Sequence, residues 1–300
     1  MRISALQLLG ILGVIAVVCT TAAADAPTSA DVPNPSPARS HSRESDPALA
    51  AGWRAYKRGN IAEAITAYEQ ALAASPGDAS LWYDTGCLHA LNHDAAKASA
   101  ALRQALSLNP RLSEAYDALG QLSEQAGDVD RAHALYATAN AIKPGSIKVL
   151  RHLSRVLMRL GQTEPARQVL YEFVGLAPND VDARYQLGVL ELRANAPDSA
   201  LHEFQVIIER SPDHVQAWNG LALAYAHIGA FAEATKALEH AKTLEPDNPE
   251  TQTNFGVVAA YQQRWNDART IWKRTVERHP QFAPAVQNLD ALNALSTDTK

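Results

Sequence analysis

Lys148, Arg151, Arg155 and Arg159 put four cations into twelve residues of a 300-residue chain whose formal net charge is −5. At 100° per residue they fall within an arc about 80° wide, and Val149, Leu150, Leu153, Val156, Leu157 and Leu160 take the other side of the same helix. Planar guanidinium groups gathered in this way suit carboxylate or phosphate, which they bind by paired, charge-assisted hydrogen bonds. Left alone, like charges three or four positions apart repel by roughly 0.2 to 0.5 kcal/mol each, so the stripe costs something near 1 kcal/mol. An anion, internal or foreign, is expected beside it.

Other chemistry is sparse. His89 and His93 are four apart, with Cys87 and Asp94 near in sequence, but two ligands on one helix do not make a metal site. The chain has no G-x-S-x-G elbow, no glycine-rich phosphate loop, no H-E-x-x-H and no C-x-x-C, so the sequence predicts neither an enzyme nor a bound metal or cofactor. Its acidic balance and interleaved charges disfavour nucleic acid.

Elements able to position the stripe follow from composition. Hydrophobic residues make up 47% of the chain while aromatics are 6%; alanine supplies much of the difference, which favours helix over strand. Residues 1–24 have one cation, Arg2, an apolar run and a small-residue ending at Ala22-Ala23-Ala24, the layout of a secretory signal peptide. The apolar run falls short of the roughly 20 residues needed to span a membrane, with an uncleaved anchor through residues 3–19 as the alternative. Val18 ahead of Cys19 argues against lipidation. Cleavage after Ala24 leaves 26 cations, 32 carboxylates and the single cysteine Cys87, so packing rather than an intrachain disulfide must hold the fold. Residues 25–44, rich in Pro, Ser and Ala, read as a disordered tether with almost nothing to bury.

From residue 45 onward the chain repeats. Proline recurs every 34 residues from Pro76 to Pro280, and alanine in the same phase from Ala64 to Ala268. A small residue marks a third column (Gly52, Gly86, Gly120, Ser154, Gly188, Ala222, Gly256). A large one marks a fourth (Tyr68, Leu102, Tyr136, Leu170, Phe204, Leu238, Trp272). Small residues let two helices approach, the large one fills the seam, and proline stops the second helix. Gly59, Gly127, Gly161 and Gly229 fall in the turn between the helices, where a left-handed residue is needed.

These columns resemble the tetratricopeptide repeat family. WNGLALAY at 218–225 carries Trp218, Leu221, Ala222 and Tyr225 at the family's spacing, AEATKAL at 232–238 supplies the second half of that unit, and WYDTG at 82–86 and YDALG at 116–120 are partial matches. The resemblance implies an all-α, right-handed solenoid of antiparallel helix pairs: seven repeats over residues 45–282, then a capping helix and frayed tail over 283–300. It also implies that first helices line a concave surface. Lys148, Arg151, Arg155 and Arg159 would look into it, with Trp53, Tyr56, Tyr83, Tyr185 and Asn219 among its further lining. The family's Lys and Asn clamp for a C-terminal carboxylate is absent. The partner expected is an acidic protein or peptide segment, bound by an exported, periplasmic scaffold without nucleic acid. Alternatives are an accessory role in an envelope secretion, pilus or polysaccharide-export machine, or binding of an anionic glycan. Glu114, Asp117 and Glu124, on the preceding first helix, are the internal anions that could instead satisfy the stripe.

Overall fold

The computed structural model describes residues 33–35 and 46–297. The expected signal peptide, most of the tether and the last three residues of the tail lie outside the described residues. Among the described residues there are fifteen α-helices and no strands. They run α1 (Pro47–Lys57), α2 (Ile61–Ala74), α3 (Ala79–Leu91), α4 (Ala95–Leu108), α5 (Ser113–Gln125), α6 (Val129–Ile142), α7 (Ile147–Arg159) and α8 (Thr163–Leu176). After these come α9 (Val181–Arg193), α10 (Pro197–Arg210), α11 (Val215–His227), α12 (Phe231–Leu244), α13 (Pro249–Tyr261), α14 (Trp265–Arg278) and α15 (Ala283–Thr297). Seven consecutive pairs are thus followed by one further helix, which packs on α14 and α13.

Helix ends fall where the sequence places them. Each second helix stops two residues before the proline column, whose ring cannot continue the hydrogen-bond ladder. The proline carbonyl then accepts from the next first helix: Trp82 Nε1 to Pro76 at 2.9 Å, Arg184 Nε to Pro178 at 2.7 Å and Trp218 Nε1 to Pro212 at 2.7 Å. Asp78, Asp94, Asp128, Asp180 and Asn248 cap helix N-termini with their side chains, each cap contributing about 1 kcal/mol. The turn between paired helices always holds one residue at positive φ. Gly59, Gly127, Gly161 and Gly229 take it, and so do His93, Asn195 and Gln263 at 59°, 58° and 60°, completing the 34-residue column.

The seam columns meet as their sizes require. A Cβ added to Gly52, Gly120, Gly188 or Gly256 would lie under 3 Å from the ring of Tyr68, Tyr136, Phe204 or Trp272 respectively. That distance leaves no room for any other residue there unless the ring moves.

The helices gather into two compact units, α1–α8 and α9–α15. In the first, Tyr68, Leu72, Leu81 and Leu88 centre one apolar cluster, and Tyr83, Cys87, Leu102 and Leu119 another. In the second, an apolar cluster runs through Phe204, Ile207, Leu221, Leu238, Val257 and Trp272 to Leu292 on α15. No helix among the described residues is long and apolar enough to cross a membrane.

Candidate functional site

The basic stripe lies on α7, and α5, the first helix of the preceding pair, supplies its anions. Arg155 forks onto Glu124, Nε to Oε1 at 2.9 Å and Nη2 to Oε2 at 2.8 Å. Arg159 Nη1 adds a third bond to Oε1 at 3.2 Å, and Tyr136 Oη donates to Oε2 at 3.1 Å. Two turns earlier on α5, Asp117 accepts from His152 Nδ1 at 2.7 Å and Gln121 Nε2 at 2.7 Å, and Lys148 Nζ stands 3.1 Å away. Lys143 reaches Glu114 at 3.0 Å. Arg151 takes another course, its guanidinium 5.5 Å from the centre of the Phe173 ring on α8, a cation–π contact.

Burial separates these pairs into two kinds. Arg155 and Glu124 are 7% and 4% exposed, a buried pair whose polar atoms the fork, Arg159 and Tyr136 satisfy in place of water. Lys148, Arg151 and Arg159 keep more contact with solvent. Burial would raise the Asp117 carboxyl, but the bond to His152 and the Lys148 charge outweigh it and hold the group below the ordinary carboxylate range. Burial also pushes the Tyr136 phenol up, reinforced by Glu124 beside it, so the hydroxyl stays a donor to that carboxylate.

Toward the N-terminus the first helices carry aromatics. Trp53 and Tyr56 on α1 have ring centroids 5.1 Å apart, and Lys57 Nζ lies 5.0 Å from the centre of the Trp53 ring. On α3, Tyr83 is buried in the same apolar cluster as Cys87, one turn further on. Both tyrosines hold Asn34: Tyr56 Oη donates to Asn34 Oδ1 at 3.1 Å, and Tyr83 Oη to the Asn34 carbonyl at 3.3 Å. Pro33 and Pro35 on either side are buried. The expectation that the tether buries almost nothing therefore fails at these residues.

Comparison with known proteins decides the family. Two family models, each described as Tetratricopeptide repeat, match residues 49–98, 83–147 and 191–249 in one case and 123–186 in the other. The chain belongs to the tetratricopeptide repeat family. It is 26% identical over 224 residues to Superkiller protein 3 of Schizosaccharomyces pombe, across 68% of this chain and 16% of that protein. It is also 26% identical over 211 residues to BBSome complex member BBS4 of Bos taurus, across 70% of this chain and 41% of that protein. The chain thus spans less than half the length of these relatives. Among solved structures, YrrB, described as a TPR protein with an unusual peptide-binding site, matches with a TM-score of 0.59 at 24% identity, over 61% of this chain and 95% of that one. A tetratricopeptide repeat protein of Parabacteroides merdae matches with a TM-score of 0.52 at 17% identity, over 82% and 97%.

Within the tetratricopeptide units the expected groove residues divide. Trp53, Tyr56 and Tyr83 come together on α1 and α3, and Lys148, Arg155 and Arg159 on the α5–α7 seam. Tyr185 and Asn219 belong to the other compact unit and correct the expectation that they face a partner. Tyr185 is buried against Phe204 and His214, with centroids 5.9 and 5.8 Å away. Asn219 is fully enclosed, and its Nδ2 donates to Thr251 Oγ1 of α13 at 3.0 Å, a tie between successive first helices. His152 and Tyr136 are the participants that sequence reasoning passed over. The 35 residues between Asp117 and His152, one repeat plus one position, are the signal that marks the first of them. His89 sits in α3, 3.6 Å from Glu69, and His93 in the following turn.

Proposed function

We propose that this chain is an exported protein-interaction scaffold, without catalysis of its own, that receives an acidic segment of a partner along α7. Membership of the tetratricopeptide repeat family supports the scaffold role. The observation that carries the partner's charge is the imbalance at the α5–α7 seam. Lys143, Lys148, Arg155 and Arg159 are four cations set against the three carboxylates Glu114, Asp117 and Glu124. The internal anions satisfy the buried part of the stripe and leave an excess of positive charge at its solvent-facing part. In this reading Arg155 positions the seam, and Lys148, Arg151 and Arg159 meet the ligand.

A charge reversal that spares the buried fork tests this. The full chain carrying Lys148→Glu and Arg151→Glu is compared with wild type for binding a fluorescent oligoglutamate peptide at low salt and for capturing partners from an envelope extract. Wild type should bind the peptide at least tenfold more tightly, with a steep salt dependence, while circular dichroism shows the same helix content in both. Equal binding by two folded proteins would sink the acidic-partner reading.

A further inference from the structure

The aromatic end of the first-helix face already has an occupant, the chain's own Pro33-Asn34-Pro35. The contact is built as a recognition site is built. Proline fixes φ and has no N–H to satisfy, and a residue preceding proline is driven toward extended backbone, so Pro-Asn-Pro arrives with little conformational freedom to lose. Extended proline-bracketed segments of this kind dock on aromatic-lined surfaces. Here Trp53 packs at a tilt on Tyr56, Tyr83 is enclosed in the apolar cluster that holds Cys87, and the two phenols read the side chain and the main chain of Asn34. Both prolines are buried although they lie in a stretch with few apolar residues.

We propose that Trp53, Tyr56 and Tyr83 form a receptor for an extended Pro-Asn-Pro segment, that residues 33–35 fill it in cis, and that a partner segment of the same chemistry must displace them. This deepens the reading of the first-helix face as the partner-binding face but does not depend on the charge of α7. Ten residues separate Pro35 from Asp46 at the start of the repeats. So short a covalent connection gives a local concentration on the order of 1 mM. If the segment binds with an intrinsic Kd near 0.1 mM, the cis copy masks the site by a factor of about ten.

The test is a titration of a fluorescein-labelled peptide, DVPNPSP, into the full-length chain, followed by anisotropy. A variant carrying Pro33→Ala, Asn34→Ala and Pro35→Ala should bind the peptide about tenfold more tightly than wild type, because its receptor is open. Adding Tyr56→Phe and Tyr83→Phe to that variant keeps the rings and removes both hydroxyls, and should weaken binding at least fivefold. Equal affinity of wild type and the triple variant, or indifference to the tyrosine changes, overturns the proposal. Sedimentation shows whose segment is bound: a wild type that self-associates beside a monomeric triple variant would mean occupancy by a second copy and overturn the cis assignment. The Lys148→Glu, Arg151→Glu chain should bind this peptide as its parent does, so failure at the stripe and failure at the aromatic end are read separately.

Discussion

Asp117 shows at the scale of one residue what an enclosed carboxylate requires. Burial opposes its charge, while His152, Lys148 and Gln121 restore it and leave its folded pKa below the unfolded one. A depressed carboxylate stabilises the fold fully above its unfolded value, near 3.8, and loses that contribution as pH falls through the lower folded value. Asp117→Asn should therefore lower the urea midpoint at pH 7 and at pH 5, and its difference from wild type should shrink by pH 3. A gap of the same size at all three pH values would show that the ionised pair contributes nothing. The position of Arg155 was only half legible in the sequence. Periodicity within α7 puts it on the polar side of its own helix, and only the docking of α5, one repeat earlier, turns that side inward. His152 was missed because nothing within α7 marks it, and its role depends on Asp117 across the seam.

At the scale of the element, the large-residue column alternates. It runs Tyr68, Leu102, Tyr136, Leu170, Phe204, Leu238, Trp272; glycine faces every aromatic and also Leu102, through Gly86, while Ser154 and Ala222 share their units with Leu170 and Leu238. Aromatic rings, and Leu102 opposite Gly86, fill the gap that a missing Cβ leaves, whereas Leu170 and Leu238 accommodate a small side chain in that column. Gly188→Ala places a Cβ 2.8 Å from Cε1 and Cζ of Phe204. The gain in helix propensity, about 1 kcal/mol, is then outweighed by overpacking of about 1 to 3 kcal/mol. Combining it with Phe204→Leu should recover part of the loss, so that the double variant is about 1 kcal/mol more stable than the two single effects predict. Strict additivity in urea unfolding would refute the seam argument. All seven turns fell within reach of the 34-residue count, but composition alone marked only the four that hold glycine. His93, Asn195 and Gln263 take the same backbone conformation because the packed helices on either side dictate it, at a local cost that glycine would not incur.

At the scale of the whole molecule, four columns in register made the seven pairs and the final helix legible, because each column answers one packing need and all recur together. The division into two compact units was not legible, since every repeat carries the same pattern. Nor was the seat of Pro33-Asn34-Pro35, because a proline-rich stretch poor in apolar residues is read from composition, and its partners lie on helices 22 and 49 residues further on. Export belongs to this scale too. If residues 1–24 act as a cleaved signal, intact mass spectrometry of the protein recovered from the periplasm should give Asp25 as the first residue, leaving Pro33 eight positions inside the mature chain. A chain still beginning at Met1 in the membrane fraction would mean an anchor instead. The Glu124–Arg155 fork also has a consequence in time. A ribosome adding about 5 to 20 residues per second makes the carboxylate some 2 to 6 seconds before its arginine. Once residue 146 has been added, nine residues before Arg155, the third repeat has a complete sequence and an incomplete surface, so each nascent chain passes through a stage at which an outside cation, or a chaperone that offers one, can stand where α7 will later dock.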